Sequence, residues 1–465
     1  MEITNSDLME NFHRAYLIGI GGVGMSALAR VLKHQGLAVA GSDSKESKTT
    51  RDLNASGIPV FIGQKNIGFN DEDVIIYSSA IDTEHVELKA ARQSGKRVLH
   101  RAQVLSSLLN RAQTSVAVTG THGKTTTSSM ISFMLSQLGK NPTCLVGGEV
   151  MNFGTNTLLG NPDLWISEVD ESDKSHEMYA PNYTIVTNLE EDHIDHYKDM
   201  NDLQDSFRKF FANTRNPGLL IYSEDDTALR NLVLESGKPR LSFGFSPAAD
   251  FSAQNIRISD FGSEFDLCES GLYAAHVKLS IPGLHNISNA LAALALLSQI
   301  GVDLEAAGAA LVDFRGARRR LEVKFESPEI MIVDDYAHHP TEVKASIRAL
   351  RQKQKHLTVV FQPHRYSRTR YFFKEFGRAF SGADEVILTD IYSAGEKNVE
   401  NINVKCIYDE AVASGHSNVH FVAKKDILNH LFQASHHGIV AFIGAGDIGE
   451  LADELAGKFK NLTPA

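Results

Sequence analysis

Short runs of apolar and β-branched residues alternate along the chain with polar, glycine-containing turns, and stretches of helical period follow most of the runs. Residues 15–20 (AYLIGI), 37–40, 74–77 (VIIY), 115–118 (SVAV), 164–171 and 184–188 read as strands. Residues 329–335, 357–361, 386–389 and 439–443 read the same way. Strands that alternate with helices imply parallel sheets, with ligands beyond the strand C-termini. Met130, Ile131, Met134, Leu135 and Leu138 recur at helical spacing after the 115–118 strand, and 290–298 forms an apolar helix. Around 240–280 the pattern changes. LSFGF, FSAQNIRIS, SEFDLCES and LYAAHVKLSI predict antiparallel strands appended to the middle of the chain. The strand–glycine–helix layout occurs three times, at 15–24, 115–125 and 439–447.

At 465 residues the chain is too long for one ordinary domain. The pattern predicts an α/β protein of three domains. They are a Rossmann-like unit (1–107), a central P-loop unit with added antiparallel strands (108–315) and a smaller Rossmann-like unit (316–465). Apolar residues make up 42% and charged residues 22%, as in soluble globular proteins. A net charge of −11 without a basic stripe argues against a nucleic-acid partner. Cys144, Cys268 and Cys406 are too scattered for a disulfide framework or a zinc site. The first residues carry no apolar signal core, and the apolar run 290–300 is too short to span a bilayer. A cytoplasmic protein without membrane insertion, a monomer or weak homo-oligomer, is expected.

The densest chemistry lies in 114–127, TSVAVTGTHGKTTT. A glycine turn between a strand and a helix lets backbone N–H groups approach a phosphate, and the helix N-terminus adds its positive end. Lys124 is placed to reach the β- and γ-phosphates and Thr125 to offer a hydroxyl to Mg²⁺. The common pattern has a glycine where this chain has Val118; here the loop glycine is Gly120, so the loop is shorter. Lys124 is expected to stand exposed in that loop. Glu168, at a strand end, and His193, in an acid-rich turn, would then flank the phosphates. Glu168 is the first choice as a Mg²⁺ ligand, with His193 near a second ion.

Gly19, Gly21 and Gly24 form a GxGxxG turn after the first strand, with Asp43 about twenty residues on, an arrangement that sets a carboxylate on a ribose hydroxyl. Taken alone, it admits a nicotinamide-dependent oxidoreductase. Asn286 and Asn289 share one face at the start of the 290–298 helix and suit an adenine or ribose, or simple capping. Arg365 and Arg368 follow a strand and together suit a carboxylate.

GTHGKTT (120–126), EVDES (168–172), NLEEDHIDHY (188–197), HNISNA (285–290), DDYAHHPTE (334–342) and QPHRYSRT (362–369) occur in that order. Together they resemble the Mur ligases of peptidoglycan synthesis, and with GIGGVGMS at 19–26 the likeness is to the members that add alanine. The resemblance implies a UDP-sugar domain, a central ATPase domain and a mobile C-terminal domain. ATP would phosphorylate the lactyl carboxylate of UDP-N-acetylmuramate, and the amine of L-alanine would attack the acyl phosphate. Gly120, Thr121, His122, Gly123, Lys124, Thr125, Thr126, His285, Asn286, Asn289, Arg319 and Asp335 would hold ATP. Gly21, Gly22, Val23, Gly24, Asp43, Ser78, Ser79, His100 and Arg101 would hold the UDP-sugar. Tyr336, His338, Arg365 and Arg368 would meet the amino acid. Thr125, Glu168 and His193 would hold Mg²⁺, and Lys124, Glu168 and His193 would serve catalysis. Leu284 departs from the family's more polar choice before the His-Asn pair. Some relatives carry a modified lysine where Arg208 and Lys209 lie here; no modification is assigned. A ligase that attaches a preformed peptide to the same UDP-sugar would share this ATP machinery and is the alternative.

Overall fold

The computed structural model describes residues 12–63, 69, 71–192, 196–259, 262–433 and 437–462. Three sheets carry the architecture. In the first, β1 (Arg14–Ile18), β2 (Ala38–Asp43), β3 (Val60–Ile62), β4 (Val74–Tyr77) and β5 (Arg97–His100) lie in the order β3-β2-β1-β4-β5. All are parallel. Helices α1 (Val23–His34), α2 (Lys48–Ala55), α3 (Val86–Gln93) and α4 (Arg101–Arg111) alternate with them. The order reverses between β1 and β4, so the glycine turn after β1 and Ser78 and Ser79 after β4 border one crevice. The Gly21 N–H donates to Asp43 Oδ2 at 2.9 Å, so this carboxylate braces the turn.

The central sheet has ten strands. They are β6 (Thr114–Thr119), β7 (Pro142–Val150), β8 (Thr155–Leu158), β9 (Asn161–Glu168), β10 (Tyr183–Val186), β11 (Leu219–Ser223), β12 (Arg240–Gly244), β13 (Phe251–Ser259), β14 (Gly262–Glu269) and β15 (Leu272–Leu279). Its order is β15-β14-β13-β12-β11-β10-β6-β9-β7-β8. β6 lies between β9 and β10 and runs parallel to both, so the ends of those two strands flank the turn after β6. The appended strands are antiparallel from β13 to β15, but β12 is parallel to both β11 and β13. Helix α7 (Thr227–Glu235) crosses between β11 and β12 and returns the chain in the same direction, which a hairpin cannot do; α6 (Met200–Asn213) precedes β11.

Helix α5 (Lys124–Gln137) follows β6 and packs against α8 (Leu284–Gln299), which starts six residues before the expected 290. Its apolar spacing suggested one buried face, yet every residue from 125 to 135 is buried. The serine hydroxyls are satisfied within the helix. Ser128 donates to the Lys124 carbonyl (2.8 Å), Ser129 to that of Thr125 (2.6 Å) and Ser132 to that of Ser128 (2.7 Å).

After the short α9 (Leu304–Ala310) the third sheet begins. It comprises β16 (Glu322–Glu326), β17 (Ile330–Asp335), β18 (Leu357–Phe361), β19 (Glu385–Leu388), β20 (Val419–Phe421) and β21 (Gly438–Ile443), ordered β16-β17-β21-β18-β19-β20. Only the edge strand β16 is antiparallel. Helices α10 (Pro340–Arg351), α11 (Tyr366–Ala379), α12 (Lys405–Ala413), α13 (Ile427–Gln433) and α14 (Gly449–Leu462) complete the unit. Among the described residues no helix is long and apolar enough to cross a membrane.

Candidate active site

The turn after β6 is tight. Gly123 has φ +84°, and a Cβ there would sit 2.4 Å from Asn289 Oδ1. Gly120 has φ +119°, and a Cβ would meet Thr187 Oγ1 at 2.4 Å. The Thr121 N–H donates to the Asn188 carbonyl (3.2 Å) and the His122 N–H to Asn188 Oδ1 (2.9 Å), which moors the loop to the end of β10. Lys124 is not exposed as expected: its side chain is 12% accessible and that of its partner Glu171 only 1%. Lys124 Nζ donates to both Glu171 oxygens (3.0 and 2.9 Å) and to the Gly120 carbonyl (2.6 Å). Burial acts to lower the lysine pKa, but Glu171, Asp170 and Glu168 outweigh it and hold the ammonium charged. Nothing in the sequence signals this pairing except that Glu171 lies just beyond a strand neighbouring the loop.

Thr125 Oγ1 donates to Glu168 Oε1 at 3.1 Å, and the Gly147 N–H to Oε2 at 2.7 Å. Burial raises the Glu168 pKa, with Lys124 opposing. A hydroxyl and a half-buried carboxylate side by side are the hard oxygen donors that Mg²⁺ takes, so the residues fit that ion. His193 lies outside the described residues.

A cavity of about 650 Å³ opens in front of this loop and is lined by all three domains. Val23, Gly24 and Arg101 come from the first, Thr121 to Thr125, Glu168 and Asp170 from the second, and Arg319, Arg320, Tyr336, His338, His364, Arg365 and Arg368 from the third. Gly21, Gly22, Asp43, Ser78, Ser79 and His100 stand outside that lining; the Ser79 hydroxyl donates to Asp173 at 2.8 Å across the domain boundary. A second cavity of about 210 Å³ adjoins it and brings together Gly123, Thr126, His285, Asn286, Asn289 and Asp335. Burial pushes the Asp335 carboxyl up to about 6 and the His285 imidazole down to about 4.

Arg319 lines the large cavity and is held by its own domain. Its guanidinium lies 3.2 Å from Asp334 and donates to the Gly446 (3.1 Å) and Gly444 (2.7 Å) carbonyls, so it ties β17 to the turn after β21. Its neighbour Arg320 lines both cavities, 3.6 Å from Glu342. Both guanidinium groups lie over the Tyr336 ring (4.9 and 5.5 Å), whose edge meets His338. Burial drives His338 down to about 3, so it is neutral.

Arg365 and Arg368, expected to suit a carboxylate, each already meet an acid of the protein. Arg365 Nη1 lies 3.4 Å from Glu396. Arg368 donates through Nε (3.2 Å) and Nη2 (2.9 Å) to Asp192 Oδ1, a central-domain carboxylate, and its Nη1 is 3.3 Å from His364 Nδ1. One edge of the guanidinium is thus taken before any substrate arrives.

His122 joins the same boundary. Its Nδ1 is 3.2 Å from Glu342 and its Nε2 3.6 Å from Glu190. Burial alone would lower its pKa; Glu342 and Glu190 reverse the sign and raise it to about 9. His339 packs against it, with ring centroids 4.7 Å apart. His122, Glu190 and His339 offer donor atoms within 4.8 Å of one another.

The chain carrying this cleft is similar to known proteins along nearly its whole length. The chain is 39% identical to the UDP-N-acetylmuramate–L-alanine ligase of Carboxydothermus hydrogenoformans over 446 residues, 95% of this chain and 96% of that one. It is 40% identical to the enzyme of the same name from Gloeobacter violaceus, over 95% of each chain. The chain belongs to the Mur ligase family. Its family models match as the Mur ligase family catalytic domain (14–113), the Mur ligase middle domain (118–297) and the Mur ligase glutamate ligase domain (319–446). Among solved structures, the UDP-N-acetylmuramate-alanine ligase of Thermotoga maritima superposes with a TM-score of 0.82 at 30% identity, over 97% of this chain and 100% of that one.

In this Mur ligase Lys209 lies 3.3 Å from Glu177 and Arg208 3.1 Å from Glu235, and neither lines the cavities. Leu284 is half exposed at the start of α8. Glu171, Glu190, Asp192, Arg320 and Glu342 had no role in the sequence reading and emerge only from the fold.

Proposed function

We infer that this Mur ligase joins L-alanine to the lactyl carboxylate of UDP-N-acetylmuramate with cleavage of ATP to ADP and phosphate. The observation that carries the reading is the cleft itself. A phosphate-binding loop on the central domain faces paired arginines on the C-terminal domain, and the N-terminal domain supplies Val23, Gly24 and Arg101 to its rim. The names of the full-length relatives favour alanine over a preformed peptide as the amine.

A carboxylate resists attack by an amine until one oxygen becomes a phosphate leaving group. The chemistry then needs positioning and charge neutralisation more than covalent help. ATP would lie with its adenosine in the smaller cavity against His285, Asn286 and Asn289, and its phosphates over the loop. Lys124 would exchange Glu171 for the γ-phosphate. Bound Mg²⁺ would be held by Thr125 and Glu168, with His193 as the sequence suggests, and supplies positive charge to the phosphate oxygens. Docking of the C-terminal domain over the loop keeps water from the acyl phosphate. Arg365 and Arg368 would meet the alanine carboxylate, and Tyr336 and His338 would wall its methyl group.

The test is ADP release with UDP-N-acetylmuramate and a panel of amines: L-alanine, glycine, L-serine and a peptide beginning with alanine. Release is expected to be fastest with L-alanine. Faster release with the peptide, or release that ignores UDP-N-acetylmuramate, would overturn the reading.

A further inference from the structure

Three consecutive acids beyond β10 each grip the C-terminal domain. Glu190 Oε2 accepts from the Thr341 hydroxyl at 2.6 Å. Glu191 Oε1 accepts from the Tyr371 hydroxyl at 2.7 Å. Asp192 accepts from Arg368 through both oxygens, at 2.9 Å to Oδ1 and 3.2 Å to Oδ2. Thr341 stands on α10 and the other two partners on α11. The first two contacts are at the exposed rim, whereas the Asp192 and Arg368 side chains are only 4% and 7% accessible.

We propose that Asp192 is a positioning residue that completes the amino-acid site from the opposite domain, so that the carboxylate clamp exists only when the two domains are docked. The inference rests on the reading of Arg368 as part of that clamp. A guanidinium on a flexible stem must otherwise be ordered at each binding event. Asp192 takes the Nε–Nη2 side and fixes the plane of the group. Nη1 is left beside His364, and Asp192, His364, Arg365 and Arg368 all line the large cavity. The same short loop carries Glu190, which sits against His122 of the phosphate loop. One segment therefore touches both ends of the cleft.

The experiment compares full-length Asp192→Asn, Asp192→Glu, Arg368→Lys and the Asp192→Asn/Arg368→Lys double variant with the parent. Asparagine keeps the shape and loses the charge, so the fold is checked by near-UV circular dichroism. Asp192→Asn is expected to raise the alanine KM about tenfold with the ATP KM within about twofold of the parent. Asp192→Glu should recover most of that loss, and the double variant should be no worse than Arg368→Lys alone. An unchanged or lowered alanine KM, equal rises in both KM values, or additive losses would overturn the proposal. Should the parent ligate a different amine, the same ratios are read with that amine, so the two readings fail separately. In a chain that ligates nothing, the clamp has no substrate and the proposal falls with its premise, while non-additive shifts in unfolding temperature would still register the ion pair.

Discussion

Two buried ion pairs bracket the cleft, and they differ in what they hold together. Lys124–Glu171 joins the start of α5 to the loop after β9 within one domain, at 2.9 Å with Glu171 almost fully enclosed. Arg368–Asp192 has the same distance and similar burial but joins two domains. Removing one partner of a buried pair leaves an uncompensated charge. In the first case that charge is trapped inside a folded domain. In the second it can return to water when the domains part. Equal geometry therefore gives unequal consequences: the first pair belongs to folding, the second to docking.

The sharpest test of that contrast is Lys124→Ala. Loss of the γ-phosphate cation is expected to slow ADP release by at least about a hundredfold to a thousandfold. Loss of the ammonium beside the enclosed Glu171 carboxylate should destabilise the central domain by about 3–5 kcal/mol, read by denaturant unfolding. An unchanged rate would remove the phosphate-loop assignment, and an unchanged stability would erase the distinction between the pairs. Arg368→Lys comes next. It keeps the charge and loses the fork, so the alanine KM should rise at least about tenfold, or about 1.4 kcal/mol, with the unfolding midpoint steady. A KM for ATP that rises while that for alanine stays put would move Arg368 to the phosphate side. Glu168→Gln should raise the half-saturating Mg²⁺ several-fold, because a hard cation prefers a carboxylate to an amide. Superimposable Mg²⁺ titrations of variant and parent would make Glu168 a structural acid.

The smallest effect is expected from pH. His122 is raised from 6.5 to about 9 in the docked molecule, so its contribution is fully present below pH 6.5 and is lost as pH rises through about 9. Glu190 is depressed to about 2 by His122 and Thr341 against the effect of burial, so its contribution is present above its ordinary 4.5 and lost as pH falls through about 2. Docking without nucleotide should thus loosen between pH 6.5 and 9, seen as a modest rise in the radius of gyration by small-angle scattering. A radius that is flat over this window would disconnect His122 from docking.

Much of this cleft was readable along the chain because its parts are local. The phosphate loop, the acids after β9 and β10 and the clusters after β17 and β18 sit where a strand ends, and strand ends announce themselves by a change of period. The edge strands β16 and β20 were missed, since EVKFE and VHF are mixed in polarity and largely exposed. Partner choice was not readable. Asp192 and Arg368 are 176 residues apart, and only the docking of two domains pairs them. The same holds for Lys124, whose exposure was misjudged because Glu171 arrives from a neighbouring strand. Arg319 and Arg320 are adjacent in sequence and both line the large cavity, yet Arg319 also braces the turn after β21 while only Arg320 reaches the smaller cavity.

Helix α5 has a mechanical meaning as well. It is sealed between a ten-stranded sheet and an apolar helix; the hydroxyls of Ser128, Ser129 and Ser132 are spent on its own carbonyls, and those of Thr125 and Thr127 tie it to Glu168 and Asn289. A piston stroke along its axis would part Thr125 from Glu168 and Thr127 from Asn289 and open voids around it. The phosphate end of the cleft is therefore an anvil, a surface that does not yield, and the closure proposed for the C-terminal domain with its arginines would be the hammer.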